Sequence, residues 1–229
     1  MNKIQVEIWS DVVCPFCFLG KKNFEAALKA YEGPAKIDYV WRSYELDPNS
    51  AKSQKASIYE RLAKKYGRTI EWAKETNQRL VENGKAVGID FNFDAIIPTN
   101  SFDAHRLLQF ARTEEKQNEV AELLFKAYFC EGKDIALHSV LASLAAQAGL
   151  SADRTKQVLE GSEFSSDVRS EEAEAQEFGL SGVPAFVINR QYLVSGAQPI
   201  EAFLEVFKEA GFVGSEGPDD LSRSPFRAR

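Results

Sequence analysis

The sequence predicts an α/β chain in which a small mixed sheet is interrupted by a long all-helical insertion. Three observations predict it. Apolar residues alternate with polar ones at Ile4, Val6 and Ile8 and again at Ile37, Tyr39 and Trp41, with a helical pattern between the two runs. From Asp47 to about Glu177 the apolar period is helical almost throughout. Strand signals then return over residues 184–195, followed by one last helical stretch.

In chain order, residues 3–9 read as a strand that Ser10-Asp11 ends. From Pro15, the residues Phe16, Leu19, Phe24, Ala27, Leu28 and Tyr31 recur at three- and four-residue intervals, and Gly33-Pro34 stops that helix. Residues 36–46 read as a second strand, so strand, helix and strand predict a right-handed parallel unit. The helical block predicts helices over 56–66, 69–87, 101–114, 116–130, 137–148, 153–160 and 166–178, with a loop over 92–100 around Pro98. Thr69, Ser101 and Ser151 stand where N-caps belong, and Gly149 where a helix stops. Residues 184–189 and 192–195 read as a hairpin across a polar turn, and Ile200, Phe203, Leu204, Val206 and Phe207 mark a helix over 200–210. The predicted organisation is one domain from residues 1–46 and 180–211, a helical insertion domain over 47–179, and a flexible tail over 212–229 whose Gly, Ser, Pro and mixed charge have no period.

Composition narrows the function classes. The chain has 229 residues, 44% hydrophobic and 27% charged, which is enough for a sizeable core. A net charge of -6 and a pI near 5.2 argue against nucleic acid or an anionic membrane surface as partner. No apolar run approaches the roughly 18 residues a bilayer span needs. Residues 1–9 read as too short and too polar for a signal peptide, which predicts a cytoplasmic protein. In that compartment most thiols are kept reduced, and cysteine pairs are more often catalytic, redox-sensing or metal-binding than structural.

The chemistry concentrates at Cys14-Pro15-Phe16-Cys17. The pair can be a redox centre, half a metal site, or two buried core thiols. A zinc site needs two more ligands, and only Cys130, His105 and His138 remain, without a second spaced pair. No metal site is therefore predicted. For a redox centre the placement is apt. With Cys14 at the N-cap and Pro15 at the first helical position, the free N–H groups and the helix dipole favour negative charge on the Cys14 sulfur. A thiol pKa of about 8.5 can fall to between about 3.5 and 7.5 in such places. Cys14 is then the attacking thiolate and Cys17, one turn on, the resolving thiol. Phe16 adds no cation, which predicts a poise less oxidising than a histidine at that position would give. Farther on, Val183-Pro184 precedes a strand, where proline is tolerated and can be cis. A trans proline ending the preceding helix is the plainer alternative.

Together, Cys14-Pro15-Phe16-Cys17 after a strand, Val183-Pro184 before a strand and a helical block between them resemble the thioredoxin superfamily. More narrowly, the chain resembles DsbA-like oxidoreductases lacking a signal sequence, the FrnE type labelled polyketide-biosynthesis dithiol-disulfide isomerases. Further carriers are Trp41 to Pro48, Asn100 to Arg106, Glu131 to Ile135 and Val194 to Gln198. The resemblance implies a thioredoxin-like fold with a helical insertion between the second strand and the C-terminal hairpin. It also implies Cys14 as nucleophile, Cys17 as resolver and Pro184 in cis, with Val183 offering its backbone to an extended substrate segment. Pro15, Phe16, Val183 and Pro184 are thus the substrate-binding candidates. His105, on a helical stretch beside Asp103, is a weaker candidate for lining the cleft. The substrate class implied is a disulfide-containing protein or small molecule, with glutathione or another thiol as co-substrate and no bound cofactor. The family more often carries tryptophan at the position of Phe16 and Arg-Pro where this chain has Arg42-Ser43.

A second resemblance is to kappa-class glutathione transferases and 2-hydroxychromene-2-carboxylate isomerases. Those use a serine at the position of Cys14, so the Cys14–Cys17 pair favours the redox reading. Cys130, in a run ending Tyr128-Phe129-Cys130, reads as a buried and inert thiol. No nucleotide-binding glycine motif is present.

Overall fold

A computed structural model of the protein describes residues 3–52 and 56–212. Apart from residue 212, which closes the last helix, the expected tail lies outside the described residues. The chain divides into two compact units, Met1–Leu46 with Ser170–Arg229, and Asp47–Arg169.

The first unit is built on a four-stranded sheet. Its strands are β1 (Lys3–Ser10), β2 (Lys36–Ser43), β3 (Ala185–Ile188) and β4 (Tyr192–Ser195), in the order β2-β1-β3-β4. β1 and β2 are parallel, with Lys3 opposite Lys36 and Ser10 opposite Ser43. The helix α1 (Pro15–Ala30) is the crossover that a parallel pair requires. β3 lies antiparallel to β1, with Trp9 opposite Ala185, and β4 turns back against β3 through Asn189 and Arg190, both in the left-handed region. This is a thioredoxin-like arrangement with a helical insertion.

Period-2 alternation decides which side chains face which layer. Ile4, Val6 and Ile8 of β1 point with Phe186 of β3 toward α1 and the C-terminal helix. There Phe24 meets Tyr39 (5.3 Å between ring centroids), Phe186 (5.4 Å) and Phe203 (5.7 Å). Burying each such ring contributes about 1.5–3 kcal/mol. Trp9, Ala185 and Val187 point the other way and pack on Ala175 and Leu180, with Phe178 edge-on to Trp9 at 5.4 Å. The Trp9 indole donates to the Glu171 carbonyl at 2.8 Å.

The same face carries a charged cluster that the sequence pattern did not announce. Glu7 accepts from Arg42 and from Arg190, and Arg42 also bonds Glu171 at 2.8 Å. Burial by itself would push the Glu7 carboxyl up, but the bonds from Arg190 and Arg42 outweigh it and hold it below the usual range. The Ser43 main-chain N–H donates to Glu171 at 2.7 Å, and that of Glu45 to Glu172 at 3.1 Å. These bonds explain why the first unit takes residues from 170 onward, where the sequence reading put the boundary after residue 179.

The second unit is helical. It holds α2 (Ile58–Tyr66), α3 (Ile70–Ala86), α4 (Phe102–Thr113), α5 (Gln117–Phe129), α6 (His138–Gln147), α7 (Ala152–Glu160) and the first residues of α8 (Ser165–Glu177). The last helix of the first unit is α9 (Ile200–Phe212). α4 is the centre, buried from Ala104 through Ala111 and flanked by α5, α6 and α7. Ser57, Thr69 and Ser151 cap their helices through their side chains. Ser101 does not cap α4; Asn100 accepts from the Phe102 N–H instead. The expected loop over 92–100 contains a short 3₁₀ turn, Phe93–Ala95. Asp134, after α5, is buried and accepts from the Thr99 hydroxyl and the Ala136 N–H.

Candidate active site

The site forms where β1 hands over to α1. Cys14 takes an extended N-cap conformation, with Pro15 opening the helix where its missing N–H costs nothing. The Asp11 carbonyl accepts the Cys14 N–H at 3.0 Å, and the Cys14 carbonyl accepts from Cys17 at 3.1 Å. The Asp11 carboxylate is fully buried and ties down both sides of the turn. One oxygen accepts the Val13 N–H (3.2 Å) and the other the Leu46 N–H beyond β2 (2.8 Å).

Opposite stands Val183-Pro184, joined by a cis peptide. The Cys14 Sγ donates toward the Val183 carbonyl oxygen at 3.7 Å. Pro184 is buried, and its carbonyl accepts the Gly196 N–H at 2.8 Å, fixing it to the end of β4. Asn23 of α1 reaches the Gln198 carbonyl at 2.9 Å, which fastens the same corner from the helix side. Gly20 makes the close approach of helix and proline possible. A Cβ there would stand 2.9 Å from Pro184 Cγ and 3.4 Å from the Phe186 ring.

The two sulfurs differ in surroundings. Cys14 is 4% exposed, beside a partly buried Pro15 and a Phe16 that is 49% exposed. Cys17 is fully enclosed, and its thiol is pushed well above the ordinary range. Burial is the main cause, reinforced by the neighbouring Cys14 thiol and opposed by the Ser10 hydroxyl and the Asp11 backbone. One turn below, Lys21 is buried and paired with Glu25 at 2.5 Å.

The structure thus brings Cys14, Cys17, Val183 and Pro184 together, with Pro15 and Phe16 at the rim. His105 is 1% exposed, inside α4 of the helical unit. Cys130 is half-buried at the end of α5, its thiol pushed up mainly by burial and by the Asp90 carboxylate. Ser10, Asp11 and Gly20 are the site residues that sequence reasoning missed. Ser10-Asp11 read only as the end of a strand, although an Asp three residues before an N-cap can close a turn through its side chain.

A family model described as a DSBA-like thioredoxin domain matches residues 5–208. The YwbO protein of Bacillus subtilis (strain 168) is 28% identical over 202 residues, covering 87% of this chain and 94% of YwbO. Among solved structures, the probable DsbA oxidoreductase SCO1869 of Streptomyces coelicolor aligns with a TM-score of 0.87 at 33% identity, over 95% of this chain and 94% of that one. The cytosolic disulfide reductase DsbM of Pseudomonas aeruginosa, solved with glutathione, shares the fold with a TM-score of 0.63 at 15% identity, over 90% and 99% of the two chains.

Proposed function

The chain belongs to the DSBA-like thioredoxin domain family, and from that premise we propose that it is a cytoplasmic thiol–disulfide oxidoreductase or isomerase of the FrnE type. The observation that carries the reading is the asymmetry of the two thiols. Cys14 sits at a helix N-terminus facing the Val183 carbonyl, and Cys17 is enclosed behind it with its thiol pushed up.

The Cys14 thiolate attacks one sulfur of a substrate disulfide, and the other substrate sulfur leaves with the bonding pair and takes up a proton. Cys17 then loses its proton and attacks the Cys14 sulfur. The Cys14–Cys17 bond forms, the Cys14–substrate bond breaks, and the second substrate thiol departs reduced. The partly buried Val183 beside Cys14 offers its main chain to an extended substrate segment, with Phe16 as an apolar rim. Glutathione fits as the thiol that returns the pair to the dithiol form, since DsbM was solved with it. The transferase or isomerase alternative needs no resolving thiol, and Cys17 speaks against it.

Insulin disulfide reduction driven by glutathione tests the reading. Wild-type protein is expected to support turnover and Cys14→Ser to abolish it. Absence of turnover by wild type, or its persistence in Cys14→Ser, overturns the proposal.

A further inference from the structure

The attack by Cys17 requires negative charge on a sulfur enclosed by protein, and apolar surroundings oppose that charge. A hydrogen-bond donor already in place there would act where it is needed.

Ser10 meets that description. It is the last residue of β1 and 5% exposed, on the face of the strand that looks toward α1. Its Oγ is enclosed and closes no aligned hydrogen bond among the described residues. Cys17 is fully buried in the first turn of α1, whose N-cap Cys14 is tied to the Asp11 carbonyl next to Ser10, and the Ser10 hydroxyl opposes the rise of the Cys17 thiol. The Cys14 thiol adds to that rise, and the Asp11 backbone opposes it. Of the charged side chains on the adjoining segments, Asp11 is committed to two N–H groups and Lys21 to Glu25. A buried hydroxyl without a partner costs stability, and a retained one calls for a reason.

We infer that Ser10 assists the second half of the reaction directly, its hydroxyl donating to the Cys17 sulfur as that sulfur becomes a thiolate. The inference rests on the dithiol reading above and adds a role that reading does not contain. Ser10 keeps its proton throughout; the Cys17 proton goes to the departing thiolate or to water. A neutral thiol is a weak acceptor, whereas hydrogen bonds to an ionised group are about twice as strong as neutral ones. The bond therefore strengthens only as Cys17 attacks, and an interaction that strengthens toward the transition state accelerates the step.

The test is a single turnover. Reduced protein is mixed with oxidised glutathione and quenched with acid at intervals. Mass spectrometry then separates the dithiol, the Cys14–glutathione adduct and the closed Cys14–Cys17 disulfide. Ser10→Ala, which changes volume little, is expected to slow closure about tenfold relative to attack, so that the adduct accumulates. Ser10→Thr, which keeps the hydroxyl, is expected to close faster than Ser10→Ala. Equal slowing of attack and closure, or an unchanged closure rate, assigns Ser10 a packing role and overturns the inference. The comparison does not depend on insulin turnover. A protein that closes its disulfide in a Ser10-dependent way yet fails with insulin and glutathione sinks the proposed function and leaves the role of Ser10 standing. A wild-type adduct that never closes overturns both.

Discussion

The Cys14 Sγ and the Val183 carbonyl oxygen lie 3.7 Å apart although 169 positions separate the two residues in the chain. The approach is held from both sides. Asp11 fixes the turn that carries Cys14, and Gly196 and Gln198 fix the corner that carries Val183-Pro184.

Gly20 is the narrowest point of that contact. Gly20→Ala would place a Cβ 2.9 Å from Pro184 Cγ, inside the closest approach of ordinary carbons, and the proline ring is too rigid to yield locally. Thermal unfolding is expected to show a loss of about 1–3 kcal/mol, the usual cost of overpacking a buried site. Disulfide turnover should fall with it, because the ledge facing Cys14 is displaced. Unchanged melting and turnover would show that the helix and proline can separate freely.

Phe16 sets the local charge of the motif. It is half-exposed and brings no cation near Cys14. Phe16→His is expected to stabilise the reduced form by its partial positive charge and to make the pair more oxidising by about 30 mV or more, the equivalent of about 1.4 kcal/mol. Equilibration with glutathione buffers measures the change. A more reducing pair in the variant would contradict the electrostatic account.

Ser43 ties the end of β2 to α8. Its N–H donates to the Glu171 carboxylate in a buried position at the end of β2. Ser43→Pro removes that donor. The expected cost is about 1–3 kcal/mol in urea unfolding, as for a buried acceptor left short of a partner. A gain in stability would show that Arg42 alone satisfies Glu171.

Glu7 makes stability depend on acid. Its carboxyl is held below the usual range by Arg190 and Arg42. Its contribution is present above the unfolded value of about 4.3 and is lost as pH falls through the lower folded value. Glu7→Gln is expected to cost about 3 kcal/mol near neutrality and to flatten the decline below about pH 4. A variant with an undiminished acid slope would place the titrating group elsewhere.

Most of the architecture was legible because each layer writes its own period. Ile4, Val6 and Ile8 fix β1 and its inward face, and the caps Thr69 and Ser151 mark helix starts through their own side chains. The pair Cys14 and Cys17 was legible because its spacing and Pro15 put it at a helix N-terminus. What stayed hidden depends on contacts distant in sequence. Glu7, Arg42, Glu171 and Arg190 meet only once the sheet and α8 are packed. Gly20 reads as an unremarkable helix residue until Pro184 lies against it. Ser10 and Asp11 look like the polar end of a strand, and only their enclosure beside Cys17 gives them another part.

The division of labour between the two sulfurs is tested most directly by trapping. Cys17→Ser protein exposed to a disulfide substrate, then quenched with acid and mapped by mass spectrometry, is expected to hold the substrate as a mixed disulfide on Cys14. Cys14→Ser protein treated alike is expected to hold none on Cys17, whose thiol is enclosed and pushed up. Equal adducts on both cysteines, or an adduct on Cys17 alone, would contradict the account.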